Sequence, residues 1–246
     1  MGGGPFYNRY NWLGAFRAFY VFTNPLAFII ALIRHSAPPY VRVRTPIGGI
    51  TLRLRNFENL KTLFSIFCRQ DYRVSGRARY LFLDIGANVG FASAYFLSRN
   101  DSNIVQCFEP DISNLDYLKG NLANFPERAT ISDQAIHVSD GVSVLYRSPD
   151  GKHSSLHPSD RAWLPHQAVS HKFADVLAEA AIIGLPTVIK IDVEGTEGDL
   201  VQSVKFEEYP FIKRLIVEAN YCSKLITRPH TRRLRNGYVE DLTFAI

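Results

Sequence analysis

From residue 80 onward, short continuous apolar runs alternate with stretches whose apolar residues recur every three or four positions. "YLFLDI", "NIVQCF", "PTVIKIDVEG" and "FIKRLIVEAN" read as buried strands. "VGFASAYFLS", "SNLDYLKGNLANF" and "EGTEGDLVQSV" read as helices, with Leu115, Leu118 and Leu122 on one stripe of the second. Strands interleaved with helices at this spacing predict an α/β fold with a doubly wound, mostly parallel sheet. "ATISDQAIHVSDGVSVLYR" predicts a strand, an Asp-Gly turn and a strand, and "NGYVEDLTFAI" one closing strand. "RPHTRRLR" (228–235) reads as a basic helix face. No internal repeat or low-complexity tract interrupts the pattern.

The first 79 residues follow another pattern. In "NWLGAFRAFYVFTNPLAFIIALIRH", Asn24 before Pro25 predicts an N-cap and first helical residue, hence two short helices. The second, "PLAFIIALI", is apolar all round and must be buried in something: the protein, a second subunit or a membrane interface. Nine residues are too few to span a bilayer, and Arg17, Asn24 and Pro25 interrupt the longer stretch. "YVRVRTPIGGITLRLR" alternates apolar and basic residues about a Gly-Gly pair, predicting a β-hairpin with Arg42, Arg44, Arg53 and Arg55 on its outer face. "NLKTLFSIFCRQDY" has helical spacing. The division is an N-terminal extension of helices and hairpin (1–79) and a main domain (80–246).

Charge sharpens that division. Residues 1–79 hold 12 Lys and Arg against 2 Asp and Glu, a surplus of ten, whereas the remainder has 16 against 21. A basic extension on a mildly acidic domain suits an anionic carrier or a peripheral membrane surface, or is a solvated face without a partner. Aromatic interleaving in the basic clusters is poor, so no nucleic-acid partner is expected. Apolar content of 46% and charged content of 21% belong to a globular protein. The start "MGGGPFYNRY" shows no basic run before an apolar stretch and only an incomplete myristoylation pattern. Cys68, Cys107 and Cys222 are dispersed and odd in number, which argues against a disulfide framework or thiolate zinc site and favours a cytoplasmic setting.

Candidate chemistry gathers at strand ends, where open α/β sheets bind ligands. The first strand of the main domain ends at Asp84 and turns through Ile85-Gly86-Ala87-Asn88-Val89-Gly90 into a helix. Gly86 lets a ligand approach the backbone, and the helix start offers N–H groups to a carboxylate or phosphate. Glu109, 23 residues beyond Gly86, ends the next strand and can accept hydrogen bonds from ribose hydroxyls. A dinucleotide site would have glycine where Asn88 stands, so an NAD-dependent oxidoreductase is the lesser reading. A nucleoside without a diphosphate fits better. S-adenosylmethionine meets that description, with an ammonium for Asp84 and a carboxylate for the helix start.

The segments "LDIGANVGFASAYF", "FEPDISNLDYLKGNL", "QAIHVSDGVSVLYR" and "VIKIDVEGTEGDLV", in this order and spacing, resemble the FkbM family of S-adenosylmethionine-dependent methyltransferases over about residues 80–220. The resemblance implies a Rossmann-like methyltransferase fold and O-methylation of hydroxyls on sugars, glycoconjugates or secondary metabolites. It implies that Asp84, Gly86, Asn88 and Gly90 hold the methionine moiety, Glu109 the ribose, and Asp133 with Gln134 the adenine. Asp192 would lie near the transferred methyl. About 26 residues follow "IVEAN", short for the family's last helix and antiparallel strand pair, so a curtailed sheet edge is expected.

Transfer to a hydroxyl needs alignment and a proton acceptor, a positioned base or a divalent metal. "KIDVEGTE" puts Lys190, Asp192 and Glu194 at alternate positions of one strand. Asp192 is the candidate base or metal ligand, with Glu194 beside it; the blander alternative is a Lys–Asp pair and acids near a helix start. In the polar loop "GKHSSLHPSD", His153 is a candidate for acceptor binding or base chemistry, although exposed loop histidines are the simpler reading of His153 and His157. Glu218, ending "LIVE", is a further strand-end carboxylate. A small-molecule or glycan acceptor is the expected partner, with a homo-oligomer left open. A non-catalytic nucleoside-binding scaffold is the alternative of a different class.

Overall fold

The computed structural model describes residues 9–74, 78–147, 154–155, 164–219, 221–235 and 239–244. Helices α1 (Arg9–Val21) and α2 (Pro25–Ile33) meet at Asn24, whose side chain accepts from the Ala27 amide at 3.0 Å. Strands β1 (Tyr40–Thr45) and β2 (Gly48–Arg53) form the expected hairpin. Its turn differs from the reading: Thr45 pairs with Gly48, so Pro46-Ile47 makes the bend and both glycines belong to β2. Gly48 carries the positive φ (121°) needed to leave the turn, and Thr45 Oγ1 donates to its carbonyl at 2.6 Å. Helix α3 (Phe57–Leu63) runs into a π-helical turn over Phe64–Cys68.

The main domain is strictly alternating at first: β3 (Leu81–Ile85), α4 (Phe91–Leu97), β4 (Ile104–Phe108), α5 (Ile112–Leu122) and β5 (Ala129–Ser132). A second sheet follows, built from β6 (Ala135–His137), β7 (Gly141–Arg147), β8 (Ser154–Ser155) and β9 (Leu164–Lys172) in the order β6-β9-β7-β8. The Asp140-Gly141 turn therefore does not close a hairpin, because β9 inserts between β6 and β7. Then come α6 (Phe173–Ile183), β10 (Thr187–Ile191), α7 (Glu197–Gln202), β11 (Ile212–Val217), β12 (His230–Arg235) and β13 (Val239–Phe244).

The seven-stranded sheet has the order β12-β13-β11-β10-β3-β4-β5, with β13 antiparallel to both neighbours and the other adjacent pairs parallel. Two expectations are corrected at its edge. The antiparallel pair is present despite the short C-terminal sequence, because a 3-10 turn at Cys222–Leu225 stands where a longer connection was expected. The "RPHTRRLR" segment supplies an edge strand, not a helix face. Arg232 and Arg235 bind Glu240 (2.7 Å) and Asp241 (2.6 Å) of β13, and Arg214 of β11 also grips Asp241. Pairing across the sheet outweighs local helical preference.

Side chains alternate between two apolar layers. Leu81, Leu83, Ile85, Ile189 and Ile191 face α6 and α7, whereas Phe82, Val105, Val188 and Ile216 face α4, α5 and the N-terminal segment. One apolar cluster thus runs from Phe22, Leu52, Leu60 and Phe67 to Phe82, Tyr95 and Phe96. The hairpin arginines are partly spent on this docking. Arg53 pairs with Asp116 of α5 at 2.6 Å, Arg55 donates to Ser113 and Asn114, and Arg44 donates to carbonyls at the end of α1.

Candidate active site

The order of strands reverses between β3 and β10, and polar residues collect there. Asp84 and Lys190 point to the same layer from adjacent strands. Lys190 Nζ lies 3.2 Å from Asp84 and 3.3 Å from Asp192, and donates to the Gly86 carbonyl at 2.7 Å. Burial disfavours the ammonium, but Asp84 and Asp192 outweigh it and hold its pKa above the ordinary lysine value. Ser93 donates to the other Asp84 oxygen at 2.6 Å. Asp84 is completely buried under the turn, with its carboxylate held by Ser93 and Lys190.

The turn above is tied down from within. The Gly86 and Ala87 amides donate to the Phe108 carbonyl, Asn88 N–H to Glu109 at 2.7 Å, Val89 N–H to the Asn88 side chain, and Gly90 N–H to the Ala87 carbonyl. The N–H groups of residues 86–90, where free donors were expected, are thus bonded inside the protein. Gly86 (φ 78°) has no room for a Cβ, which would lie 1.8 Å from the Asp192 carbonyl oxygen. Gly90 (φ 83°) is similarly enclosed: a Cβ there would meet Leu118 at 2.5 Å. Both glycines serve close packing of strand and helix. Asn88, in the left-handed region at φ 51°, presents its side chain to the clefts on either side.

One cleft is bounded by Gly86, Asn88, Glu109, Asp192 and Glu194, with Phe108, Ile136 and Leu145 as apolar walls. Ile136 and Leu145 come from the second sheet, which is anchored through His166 Nε2 at 3.1 Å from the Pro110 carbonyl. Glu109 is nearly buried, and burial pushes its carboxyl up to about 7 against donations from Asp111, Asn88 and Asn114. Its Oε2 accepts one of these bonds and Oε1 two, so the carboxylate retains acceptor capacity towards the cleft. An acid with spare acceptor sites beside an apolar slot fits a ribose and its flat base. These residues suit S-adenosylmethionine.

A second cleft, of about 340 Å³, opens on the other side of the same junction. Asn88, Asn114, Asp192 and Glu194 border both. Its far wall comes from the N-terminal segment, through Arg55, Asn56, Asn59, Thr62 and Tyr72. Glu218, just beyond β11, faces it and accepts from Tyr72 Oη at 3.2 Å. Burial, followed by the Asp192 charge, raises the Glu218 carboxyl to about 7, against the pull of Lys190 and Tyr72. Burial also raises the Tyr72 phenol well above its usual range, with the neighbouring carboxylates adding to it, so it remains a donor.

The structure therefore brings together Gly86, Asn88, Glu109, Asp192 and Glu194, and sets Asp84 and Gly90 behind them as supports. Glu194, at φ 57°, turns the chain out of β10, and Glu197 secures that turn by accepting from the Val193 and Gly195 amides. Asp133 is exposed and Gln134 bonds to Ser132; the next residues, Ala135 and Ile136, line the first cleft. His153 lies outside the described residues, as does His157. Sequence reasoning passed over Tyr72 and Asn114. No short motif marks either, although Asn114 sits five residues after the strand-end acid, in the first turn of α5. Among the described residues no cluster of three or more His, Cys, Asp or Glu has the arrangement of a metal site.

Comparison with curated protein sequences finds no match. Among solved structures, similar folds include the Escherichia coli protein yhhF (13% identity, TM-score 0.43, 83% of this chain and 99% of that one). Another is the Methanococcus jannaschii fibrillarin pre-rRNA processing protein (12%, 0.43, 83% and 88%). A third is precorrin-6y C5,15-methyltransferase from Geobacter metallireducens (13%, 0.34, 77% and 87%). The model of the methyltransferase FkbM domain matches residues 84–223, which run from the buried Asp84 to just past Glu218 and take in both strand-end acids and the Lys190–Asp192 pair. The chain belongs to the FkbM methyltransferase family, and with that family it is an S-adenosylmethionine-dependent methyltransferase.

Proposed function

We propose that this enzyme methylates a hydroxyl group of a polyhydroxylated acceptor, a sugar or glycoconjugate, bound in the second cleft. The observation that carries this reading is Glu218. It is a carboxyl group raised to about 7, bonded to Tyr72, on a cleft that Arg55, Asn56, Asn59 and Thr62 also line. A hydroxyl nucleophile must give up a proton, and a base with a pKa near the working pH is suited to take it. The Asn56 and Asn59 side-chain N–H groups and the Thr62 hydroxyl offer polar partners to sugar hydroxyls, while the two amide oxygens accept from the Asn59 and Arg55 backbone N–H groups.

Bound S-adenosylmethionine supplies an electrophilic methyl group on a sulfonium. Glu109 is positioned for the ribose hydroxyls, Ile136 and Leu145 for the base, and Asn88 with Asp192 and Glu194 for the junction where the two clefts meet. Glu218 receives the acceptor proton on its carboxylate. Tyr72 keeps that carboxylate oriented, and Lys190 holds Asp192 in place. Asp192 and Glu194 are the neighbouring carboxylates that orient the acceptor hydroxyl. The apolar walls exclude water from the methyl donor.

The test has two parts. S-adenosylmethionine, and not a nicotinamide cofactor, is expected to raise the melting temperature. Glycans and polar metabolites of cells carrying the protein should contain a species one methylene heavier than in cells lacking it. That species should disappear with Glu218→Gln while thermal stabilisation by S-adenosylmethionine remains. Stabilisation without any methylated product would favour a binding scaffold. Stabilisation by the nicotinamide cofactor alone would sink the reading.

A further inference from the structure

Helices α1 and α2 carry more large apolar side chains than the core takes in. Their inward positions are Gly14 and Ala18 on α1 and Phe28 and Ala31 on α2, and Gly14 is needed there, since a Cβ would come within 2.9 Å of the Phe64 ring. Other large apolar side chains point outward: Phe16 and Tyr20 are 64% exposed, Leu26 65% and Ile33 73%, and Phe19 is likewise exposed. A helix packed on a water-soluble protein turns its apolar stripe to the core. Here the core side is filled by Gly14, Ala18, Phe28 and Ala31, and a further set of aromatic and aliphatic side chains is left outside. Exposed patches of this kind mark interaction surfaces.

Charge identifies the partner. Residues 1–57 contain seven arginines and no acidic residue. Arg34 ends α2, and Arg42 lies on the outer face of β1, next to the α1–α2 corner, where Thr23 N–H donates to the Arg42 carbonyl and Phe22 bridges Val43. Among the described residues neither arginine pairs with a carboxylate. We propose that the outer face of α1 and α2 docks on an anionic lipid surface, aromatic side chains in the interface and arginines at the headgroups.

Aromatic residues and arginines are the side chains the membrane interface accepts, and each arginine near an anionic leaflet strengthens binding about fivefold. A second copy of the chain fits less well. A two-fold contact through this face would set one arginine rim against another with no acid to offset it. The helices lie on the surface without crossing it, since no helix among the described residues is long and apolar enough to span a membrane. The position has a functional consequence. α1 packs on the π-helical turn and α2 on α3, and α3 lines the second cleft with Glu58, Asn59 and Thr62. Docking would hold the wall of that cleft against a lipid surface.

The inference is independent of the acceptor and of methyl transfer. Full-length protein is mixed with vesicles of phosphatidylcholine alone or with phosphatidylglycerol added, and floated on a density gradient. Flotation is expected with the anionic vesicles and should weaken as salt rises. The triple variant Phe16→Ser, Phe19→Ser, Ile33→Ser is expected to partition about tenfold or more weaker per side chain removed. Arg34→Glu with Arg42→Glu should reduce flotation by about tenfold or more on the anionic vesicles. Since these side chains are exposed, both variants should keep the wild-type melting temperature. The proposal is overturned if the full-length protein floats with neither vesicle. It is equally overturned if the serine variant changes only the sedimentation of a dimer and leaves flotation intact.

Discussion

At Gly86, β3 passes the Asp192 carbonyl too closely for any side chain. Gly86→Ala combines that collision with a positive φ that alanine tolerates poorly, so it should cost at least about 2 kcal/mol in urea denaturation. An unchanged midpoint would mean that β3 and β10 can separate freely. Glu109 retains its predicted ribose-binding role as a proposal, and burial gives that role a pH dependence. In the free protein its carboxyl is raised to about 7. Hydroxyl donors favour the ionised form, so the bound carboxyl should titrate lower and binding below that value must release a proton. Affinity for S-adenosylmethionine is therefore expected to increase as pH is taken from about 6 to about 8 and then level off. Calorimetry on Glu109→Gln should show a flat, weaker profile, whereas Glu218→Gln should keep the wild-type slope.

Individual elements were read well where their pattern is local and poorly where it depends on distant partners. The Asn24-Pro25 cap, the alternating hairpin and the β3-to-β11 parallel core all carry their signal within about ten residues. β9 does not: "LPHQAVSHK" mixes Pro165, two histidines and exposed positions, and it becomes a strand by pairing with β6 and β7 on either side. The apolar walls of the first cleft carry no local signal for the same reason, since Ile136 and Leu145 reach it only through that sheet. The arginines of β12 suggest a solvated helix, and only their pairing with Glu240 and Asp241 on β13 makes the segment a strand. Docking of the hairpin on α5 was equally hidden. Asn121, 68 residues from Arg53, accepts from its amide at 2.6 Å and donates to its carbonyl at 3.2 Å and to that of Val89 at 2.8 Å. Asn121→Ala would leave three backbone groups without these partners and should destabilise by about 2–4 kcal/mol. Hydrogen exchange at Arg53 should rise well before that of the β3 amides; parallel loss at both would show that the asparagine acts on the whole fold.

At the scale of the molecule, the basic N-terminal segment and the methyltransferase sheet are joined by one core. Every residue of α4 from Phe91 to Leu97 is buried, which requires cover on the side away from the sheet as well as against it. That cover comes from the N-terminal segment: Phe67 meets Tyr95 edge-on at 5.2 Å, and the π-helical turn packs on α4. The same segment contributes Tyr72 to Glu218, the Arg73 carbonyl to Arg214, and Arg55 to Asn114, which in turn donates to Glu109. Apolar cover and cleft geometry are therefore supplied by the same residues. A chain beginning at residue 80 would open α4 and the Phe82–Val105–Ile216 face to water, an exposure that a domain of ordinary marginal stability cannot absorb. It is expected to retain far-ultraviolet circular dichroism but to lose its cooperative thermal transition, bind an apolar dye and fail to bind S-adenosylmethionine. Cooperative unfolding of the truncated chain with full cofactor affinity would show instead that residues 1–79 are an appendage, and would move the wall of the acceptor cleft to some other part of the fold. The buried ring of Tyr95 argues against that outcome: with the N-terminal segment removed it loses its edge-on contact with Phe67 and keeps the Arg99 guanidinium, 4.4 Å from the ring centroid.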